Sequence, residues 1–305
     1  MRFAISIPQH MPDGSFDPAA MRDYLTRAEE LGFESGWTQE QVLGTSPQLA
    51  PVETLTYAAA CTQRLRLGCA VLISTLHSPV HLAKSLSTLD QLSRGRLEVG
   101  VGTGGRRAFG AFGVDPDTFV TRFTEGLALM RALWTEPKVS FGGRFWQLDE
   151  VAMEPKPFQK PGPPVWFGGN APAALRRAVR LGDGFFGAGS MTTGRFAEQV
   201  RTVRAELARQ GRDPATFPIA KRVYIAVDDD NGRARAQIGA ALDRHYGLAG
   251  RRDMTPVTVT GPPADCVRGL REVAGAGAEL ILLNPMYDDA AQMERLAAEV
   301  VPEFG

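Results

Sequence analysis

Cysteine and histidine are scarce in this chain of 305 residues, and none of them is spaced as a structural metal site requires. The three cysteines form no CxxC pair, so neither a disulfide framework nor a cysteine-based zinc site is expected. His77 and His81 have an i, i+4 spacing, but Pro79 lies between them and there is no HExxH pattern. The sequence therefore predicts no metal site, and its cysteine usage is typical of a reducing compartment.

A net charge and long apolar runs are also missing. The 34 lysines and arginines balance the 34 aspartates and glutamates, so no global field attracts nucleic acid or an acidic membrane. No apolar run approaches the ~20 residues of a membrane helix. Pro8 and Gln9 interrupt the first apolar segment before it reaches the length of a signal-peptide core. We therefore expect a cytoplasmic protein without a membrane or nucleic-acid partner.

Arginine is nevertheless locally dense. Adjacent arginines of this kind are usually solvated surface residues, and we interpret them so. The pairs are Arg106 with Arg107, Arg176 with Arg177, and Arg251 with Arg252.

What the sequence does contain is a regular alternation of short apolar segments and amphipathic stretches. The apolar segments have the length of buried strands, and the stretches between them repeat apolar residues with helical periodicity. The predicted strands are residues 3–7, 35–38, 65–72, 97–101, 165–167, 184–186, 219–227 and 280–283. The predicted helices include residues 18–31, 52–62, 118–134, 171–181, 193–209, 231–246, 264–276 and 290–301, with another that begins at Pro79.

Eight strands, each followed by a helix, are the pattern of an α/β protein with the (β/α)8 TIM barrel fold. The alternation is interrupted at residues 137–164, which are rich in proline and glycine and contain a hairpin-like segment from Phe141 to Trp146. Because the alternation resumes afterwards, we interpret these residues as an insertion rather than a linker. The prediction is a single (β/α)8 TIM barrel domain over residues 1–305, with an insertion at 137–164.

Active sites of such barrels lie at the C-terminal ends of the strands, and glycine is frequent there in this chain. Gly168, Gly169 and Asn170 directly precede a predicted helix, so their N–H groups and the helix dipole are suited to bind a phosphate. An ordinary strand-to-helix turn is the alternative. A second glycine-rich turn, which contains Gly187 and Ala188, follows the sixth strand and strengthens the phosphate interpretation.

Two other features at the strand ends have chemical interpretations. The glycines from Gly100 to Gly105 suggest a dinucleotide-binding loop, but helical periodicity begins only near Thr118, whereas that loop requires a helix at once. Glu40, which is followed by Gln41, is the carboxylate at the strand ends and is suited to bind a cofactor or transfer a proton. A solvent-facing loop glutamate is the alternative. No nucleophile elbow supports hydrolase chemistry.

Several longer motifs occur in a characteristic order. The most specific are Arg64-Leu-Arg-Leu-Gly68, His77-Ser-Pro-Val80, Leu82-Ala-Lys84, Leu89-Asp-Gln-Leu-Ser-Arg-Gly-Arg-Leu97 and Gly100-Val-Gly-Thr-Gly104. Supporting motifs are Glu29-Glu-Leu-Gly-Phe33, Pro163-Pro-Val-Trp-Phe-Gly-Gly169, Leu181-Gly-Asp-Gly184 and Leu280-Ile-Leu-Leu-Asn284. Together they resemble the luciferase-like monooxygenase superfamily, which includes FMN-dependent monooxygenases and F420-dependent dehydrogenases and reductases.

The resemblance implies roles for residues at the strand ends. Ala70 and Val71 match a bulge that supports the flavin or deazaflavin ring, and the resemblance implies a cis peptide bond between them. The other matches are Thr103 and Gly104 beside the ring, Gly168, Gly169, Asn170, Gly187 and Ala188 at the phosphate, and Glu40 and Gln41 at an acidic residue followed by histidine. We also count Gln9, at the end of the first strand, among the candidate cofactor-binding residues.

Two residues depart from the pattern of the superfamily. Gln41 replaces the usual histidine, and Gly105 stands where some F420 dehydrogenases have a glutamate, which argues against sugar-phosphate dehydrogenase chemistry. Because this site offers few titratable groups, the cofactor must supply most of the chemistry.

Three functional hypotheses follow. The first is hydride transfer between coenzyme F420 and an unknown small organic substrate, with Glu40 and Gln41 as the candidate catalytic residues. The second is an FMN-dependent monooxygenase, and the third is a flavin- or deazaflavin-binding protein with little catalysis. The resemblance also implies a homodimer. Apolar residues such as Leu82 and Leu86 exceed what one barrel face needs, which favours an interface; packing in the core of the single chain is the alternative.

Overall fold

The computed structural model describes residues 1–11, 14–44, 46–246 and 253–305. The strands are β1 (Arg2–Ser6), β2 (Ser35–Thr38), β3 (Arg66–Ile73), β4 (Leu97–Gly102), β5 (Val139–Gly142), β6 (Gln147–Val151), β7 (Val165–Gly168), β8 (Gly184–Gly187), β9 (Ile219–Val227), β10 (Thr258–Gly261) and β11 (Leu280–Asn284). The helices are α1 (Pro18–Glu30), α2 (Pro51–Cys61), α3 (Pro79–Leu92), α4 (Phe119–Thr135), α5 (Pro172–Leu181), α6 (Thr193–Arg209), α7 (Asn231–Tyr246), α8 (Pro263–Gly275) and α9 (Asp289–Arg295).

Eight parallel strands form a closed barrel in the order β1, β2, β3, β4, β7, β8, β9 and β11, and β11 pairs with β1 to complete the circle. Each of the eight predicted strands overlaps one of these barrel strands, and a helix follows each of them. The prediction of a (β/α)8 TIM barrel is therefore confirmed. The C-terminal ends of all eight strands open at the same end of the barrel, where the candidate site residues lie.

The interrupted segment 137–164 contains a small antiparallel hairpin between α4 and β7. Its strands β5 and β6 pair Phe141 with Leu148, as the hairpin-like sequence predicted. The carboxylate of Glu125 on α4 accepts hydrogen bonds from the backbone N–H groups of Phe145 and Trp146, at 2.8 and 3.1 Å. The hairpin is therefore fixed to the outer surface of the barrel. The assignment of residues 1–305 to one domain stays a prediction.

The structure differs from the sequence prediction at a few element boundaries. No strand is predicted between residues 246 and 264, but β10 begins at Thr258 and pairs with the C-terminal half of β9. Residues 247–252, including Arg251 and Arg252, lie outside the described residues. The predicted last helix ends at Arg295 and continues as one π-helical turn. Leu92, the last residue of α3, is 59% exposed.

Side chains of successive strand residues point to opposite faces of the barrel and so form two layers of core. One set of strand residues packs outward against the helices, while the other points into the barrel. The inward residues are Ala4, Trp37, Trp166, Phe186, Ala220, Leu280 and Leu282. The ring centroids of Trp37 and Phe186 lie 4.7 Å apart, and those of Trp37 and Trp166 lie 6.0 Å apart. This aromatic layer fills the barrel and forms a solid floor beneath the strand ends.

Among the described helices, none combines the length and the apolar character needed to cross a bilayer. In the same part of the chain, no group of three or more histidine, cysteine, aspartate or glutamate side chains is placed to hold a metal ion.

The aromatic layer has room for Trp37 because Gly68 faces it. A Cβ atom on Gly68 would lie 2.5 Å from the Trp37 ring, and that ring is 1% exposed and has no free space to move into. We expect Gly68→Ala to lower the free energy of unfolding by about 1–3 kcal/mol through overpacking. Urea unfolding monitored by circular dichroism measures this. Gly142→Ala, where a Cβ meets no atom within 4 Å, is the control, and equal stability of both variants would contradict the packing argument.

Candidate functional site

Two cavities open at the C-terminal ends of the barrel strands. The lining residues that they share are Ala70, Val71, Gly105, Arg222 and Tyr246. The first has a volume of about 610 Å³, and we call it the glycine cavity. Its glycines are Gly102, Gly104, Gly105, Gly168, Gly169, Gly187 and Gly189. The second has a volume of about 700 Å³ and is lined by residues 39–44 after β2 together with Ile73 and Leu76. We call it the β2 cavity.

The backbone of Ala70 and Val71 forms the wall that the two cavities share. The peptide bond between these residues is cis, and the pairing of β3 with β4 shifts register between Cys69 and Leu72. Both the cis bond and the bulge that the sequence predicted are therefore confirmed. The side chain of Val71 packs where Gly102 and Gly168 leave space, since a Cβ on these glycines would lie 2.6 and 2.9 Å from the Val71 methyl groups.

Arg222 on β9 holds this wall in place, and sequence analysis missed it. Its Nη2 donates a hydrogen bond to the carbonyl oxygen of Ala70 at 2.7 Å, and its Nη1 donates to Oε1 of Gln39 at 2.5 Å. The residue is 7% exposed. The signal in the sequence was the pair Lys221 and Arg222 in the middle of an otherwise apolar predicted strand, because a buried charge usually has a specific partner or ligand.

One end of the glycine cavity is suited to bind an anion. Gly168 ends β7, Gly169 follows it, and α5 begins at Pro172. Ala174 donates its N–H to the Ala171 carbonyl, so among the described residues the N–H groups of Ala171 and Ala173, which line the cavity, remain for an anion. Arg177, on α5, also lines the cavity, which corrects the interpretation of this arginine as solvated surface. Burial, followed by the charge of Arg180, lowers its pKa. Within the described residues, it has no ion-pair partner.

The turn after β8 faces the same cavity. Gly187, Ala188 and Gly189 line it together with Gly168, Gly169 and Asn170, so the structure brings the two glycine-rich segments together. Thr103 and Gly104 at the end of β4 complete this group. The side chain of Asn170 points towards α6, where its Oδ1 accepts a hydrogen bond from Gln199 at 3.2 Å.

Glu40 lines the β2 cavity, but both of its carboxylate oxygens already have partners. One accepts the backbone N–H of Ile73, and the other lies 2.7 Å from Nε2 of His77. The Glu40 side chain is 4% exposed, so the alternative of a solvent-facing glutamate is wrong. Burial alone would lower the pKa of His77, but the hydrogen bond and charge of Glu40 and the charge of Glu53 raise it above its usual value.

The remaining two candidate residues lie apart from the glycine cavity. Gln41 lines the β2 cavity, and its side chain lies over Gly44. The amide of Gln9 is 2% exposed and binds backbone atoms: it donates to the carbonyls of Gln39 and Leu49 and accepts the N–H of Gln39. Gln9 lines a separate cavity of about 250 Å³ at the ends of β1 and β11. Its structural partners are therefore loops rather than the glycine cavity.

A polar cluster that the sequence did not reveal connects these cavities. Nε2 of Gln39 lies 3.1 Å from Nε2 of His10 and 3.4 Å from Nε2 of His245. Burial, then the charges of His10 and Arg222, lower the pKa of His245 to about 4, so this imidazole is neutral at physiological pH. The cluster gives the β2 cavity neutral polar groups opposite the Glu40 and His77 pair.

The geometry fits an elongated ligand that has an anionic group at one end and a flat, uncharged body. The anionic group finds backbone donors and Arg177, and the flat body finds the Ala70 and Val71 wall. In the part of the chain that the structure describes, no carboxylate, imidazole or thiol side chain lines the glycine cavity, and its side-chain hydroxyls are those of Thr103 and Tyr246. Chemistry in this cavity must therefore come from the ligand itself, with orientation supplied by the protein.

Comparisons with known proteins agree with this geometry. Residues 1–280 match the family model described as luciferase-like monooxygenase. The chain is 26% identical to an F420-dependent glucose-6-phosphate dehydrogenase of Intrasporangium calvum, over 94% of this chain and 95% of the relative. It is 32% identical to an FMNH(2)-dependent dimethylsulfone monooxygenase of Pseudomonas putida, over 75% of this chain and 63% of the relative.

The solved structures show the same architecture. The monooxygenase RslO1 of Streptomyces bottropensis superimposes with a TM-score of 0.86 and 26% identity, and the match covers 100% of both chains. Three observations point to the same family. They are the order of the sequence motifs, the barrel with its cis bulge on β3, and the family match over residues 1–280. The chain therefore belongs to the luciferase-like monooxygenase family.

Proposed function

We propose that this protein is an oxidoreductase that binds coenzyme F420 in the glycine cavity and transfers a hydride between F420 and a small organic substrate. One observation carries the proposal: two glycine-rich strand ends and the unpaired Arg177 converge on a single cavity, the opposite wall of which is the Ala70 and Val71 bulge. The phosphate of the cofactor binds at the glycine-rich strand ends and Arg177, and the deazaflavin ring lies against the Ala70 and Val71 bulge. Several F420-dependent relatives align over 94–95% of the chain, which favours F420.

The residues of the chain orient the cofactor and exclude water, while the cofactor supplies the hydride chemistry. Val71 fills the space beside Gly102 and Gly168, so the wall is closed and rigid. Arg222 fixes the carbonyl of Ala70 and adds a buried positive charge beside the wall. Thr103 and Gly104 border the same wall at the end of β4, where they limit how far a flat ring extends.

The β2 cavity is the proposed substrate site because it adjoins the glycine cavity along Ala70, Val71, Gly105, Arg222 and Tyr246, so a substrate there reaches the open face of a ring held against the bulge. Glu40 and Gln41 line it, and Oε1 of Glu40 lies 2.7 Å from Nε2 of His77. Position 41 carries an amide and position 105 a glycine. Neither side chain titrates, which argues against the sugar-phosphate dehydrogenase activity named for the F420-dependent relatives.

An FMN-dependent monooxygenase is the second candidate, and the Pseudomonas putida and Streptomyces bottropensis relatives favour it. Both cofactors carry a phosphate and a tricyclic ring, so the same cavity suits either. A third candidate, a cofactor-binding protein with little catalysis, follows from the shortage of titratable groups at positions 41 and 105.

Cofactor titration tests the proposal, because both F420 and FMN are fluorescent. We expect F420 to bind more tightly than FMN when each is titrated with the protein. Arg177→Met removes a charge-assisted contact worth about 1.5–3 kcal/mol and so weakens F420 binding by roughly ten- to a hundredfold. The matched control is Arg176→Met, on the exposed side of the same helix, which leaves the affinity unchanged.

The outcomes separate the candidates. If FMN binds more tightly than F420, the protein uses FMN instead. If Arg177→Met and Arg176→Met bind F420 with equal affinity, the phosphate lies elsewhere. Oxidation of reduced F420 by a panel of ketones and imines, followed at the absorbance of the oxidised form, distinguishes an enzyme from a binding protein. Failure to bind either cofactor contradicts the proposed function.

Glu40 generates a prediction about pH. Because Glu40 raises the pKa of His77, their pair stabilises the fold fully below the unfolded histidine pKa, and the contribution disappears as pH rises through the raised pKa. Glu40→Gln keeps an acceptor for Ile73 but removes the charge, so it should destabilise by about 1 kcal/mol at pH 6 and by less at pH 9. Thermal unfolding measures this, and NMR titration follows the imidazole.

Glu53→Gln is the control for that experiment. Glu53 is exposed and affects His77 through its charge alone, so its removal lowers the pKa of His77 less. A His77 pKa that is the same in the wild-type protein and in Glu40→Gln would show that the carboxylate does not control the imidazole.

A homodimer is also proposed, although Leu82 and Leu86 do not support it. Leu82 and Leu86 are 3% and 1% exposed in the single chain and belong to its own core. The exposed large apolar residues include Leu92 at the end of α3 and Phe158, which packs on Gly95. We expect light scattering at micromolar concentration to give the mass of two chains, and Leu92→Glu with Phe158→Glu to reduce it. A monomeric wild-type protein would refute this.

A further inference from the structure

Lys221 is a buried lysine for which the proposed hydride chemistry has no use. It lies on β9 and is 2% exposed. Its neighbours Ile219 and Val223 pack outward against the helices, whereas Ala220 points into the barrel. Lys221 therefore points outward, behind the glycine cavity rather than into it, and its pairing partner on β8 is Gly187.

The ammonium group of Lys221 binds the turn that follows β8. Nζ donates hydrogen bonds to the carbonyl oxygens of Ala188 at 2.6 Å and of Arg222 at 2.9 Å. The carbonyl of Ala188 also accepts the N–H of Met191 at 3.2 Å. A Cβ on Gly187 would lie 3.1 Å from Cδ of Lys221, so the lysine stem packs directly beneath the turn.

This contact sets the direction of one peptide group. In a trans peptide the carbonyl and the following N–H point in opposite directions, and the bond between Ala188 and Gly189 is trans. Since Lys221 draws the carbonyl backward, the N–H of Gly189 points forward, to the side that lines the glycine cavity. Within the described residues, this N–H has no hydrogen-bond acceptor, so it is available to a ligand.

The charge of Lys221 has no acidic partner among the described residues. β8 presents Gly187 to it, α6 presents the ring of Phe196 with its centroid 5.9 Å from Nζ, and β9 presents Arg222. Burial, followed by the charge of Arg222, lowers the pKa of Lys221 to about 7. By contrast, the buried carboxylate of Glu98 at the other end of the barrel has Arg66 at 2.5 Å. An unpaired buried cation is costly unless an anion approaches it.

We propose that Lys221 is a positioning residue for the anionic group of the cofactor, which it attracts by its charge and for which it orients the N–H of Gly189. The proposal rests on the proposed function, because it requires a phosphate at the turn after β8. Lys221 itself does not touch the phosphate. It acts through its hydrogen bond to the Ala188 carbonyl, from behind the turn that follows β8.

Binding should therefore be coupled to a proton. An anion beside Lys221 favours the protonated form and raises its pKa, so the cofactor binds best below pH 7, and binding takes up a proton at about pH 8. In the wild-type protein, we expect the Kd to rise about tenfold between pH 6.5 and 9, beyond any change that the cofactor itself causes. Lys221→Met should weaken binding about thirtyfold at pH 6.5 and about threefold at pH 9, where the neutral amine of the wild-type lysine still donates to the Ala188 carbonyl.

The experiment measures F420 and FMN binding by fluorescence at pH 6.5, 8 and 9 for the wild-type protein and four variants. Lys221→Met removes both the charge and the hydrogen-bond donor. Lys221→Gln keeps a donor without the charge, so its affinity for the cofactor should not depend on pH and should lie between those of the wild type and Lys221→Met at pH 6.5. Lys138→Met, at an exposed position directly before β5, is the lysine control, and Arg177→Met tests the phosphate site separately. Thermal unfolding is expected to show Lys221→Met as stable as the wild type or more so, because an unpaired buried charge is lost.

Calorimetry supplies an independent measurement. Titrations at pH 8 in two buffers of different ionisation enthalpy give the number of protons taken up on binding. FMN is useful here because a phosphate monoester is already fully ionised at that pH. The wild-type protein and Lys138→Met should take up a fraction of a proton, and Lys221→Met none. Other groups near the cavities, such as His77 and His10, are the same in all variants, so the difference isolates Lys221.

The results distinguish failure of this inference from failure of the proposed function. If the wild-type protein binds neither cofactor, both are overturned. If it binds a cofactor and Arg177→Met weakens binding, but the wild type and Lys221→Met share one pH dependence and one proton uptake, the phosphate site stands and the role of Lys221 is refuted.

Discussion

The hydrogen bond from Arg222 to the carbonyl of Ala70 is the interaction on which the open end of this barrel depends. Parallel strands in a barrel normally continue straight to its rim, but β3 bulges inward there and brings Val71 into the central space. The bulge needs a hydrogen-bond donor for the carbonyl of Ala70 and empty space for the side chain of Val71. Arg222 is the donor, and Gly102 and Gly168 leave the space. Without all three, one wide opening would replace two cavities with a common wall.

Much of this structure could be predicted from the sequence, because the information is local. Each barrel strand is a short apolar run between turn residues, and each glycine-rich strand end precedes a helix. The residues that were missed are single charged or aromatic side chains, the roles of which depend on distant partners. Arg222 meets Ala70 across 152 positions of sequence, and Gln39 meets His245 across 206. Periodicity reports which face of a strand is buried, but not which residue lies opposite.

The same limit explains why Glu40 was placed correctly but interpreted incompletely. Its position after β2 follows from the strand pattern, while its partners come from the end of β3 and the loop beyond it. In this structure the carboxylate joins two strand ends and controls a histidine, so any contribution to chemistry passes through that pair. The arginine pair on α5 gives a parallel case: one member is solvated as expected, and its neighbour lines the glycine cavity because adjacent helical residues point about a quarter-turn apart.

The aromatic floor of the barrel has an optical consequence. Two of the four tryptophans of the chain, Trp37 and Trp166, lie in this layer directly beneath the strand ends, almost fully removed from solvent. Indoles in such surroundings emit at short wavelength, and their emission overlaps the near-ultraviolet absorption of tricyclic ring systems. Excitation energy absorbed in the floor therefore passes efficiently to any such chromophore above it. The layer that closes the barrel is thus also a built-in spectroscopic reporter of what occupies its mouth.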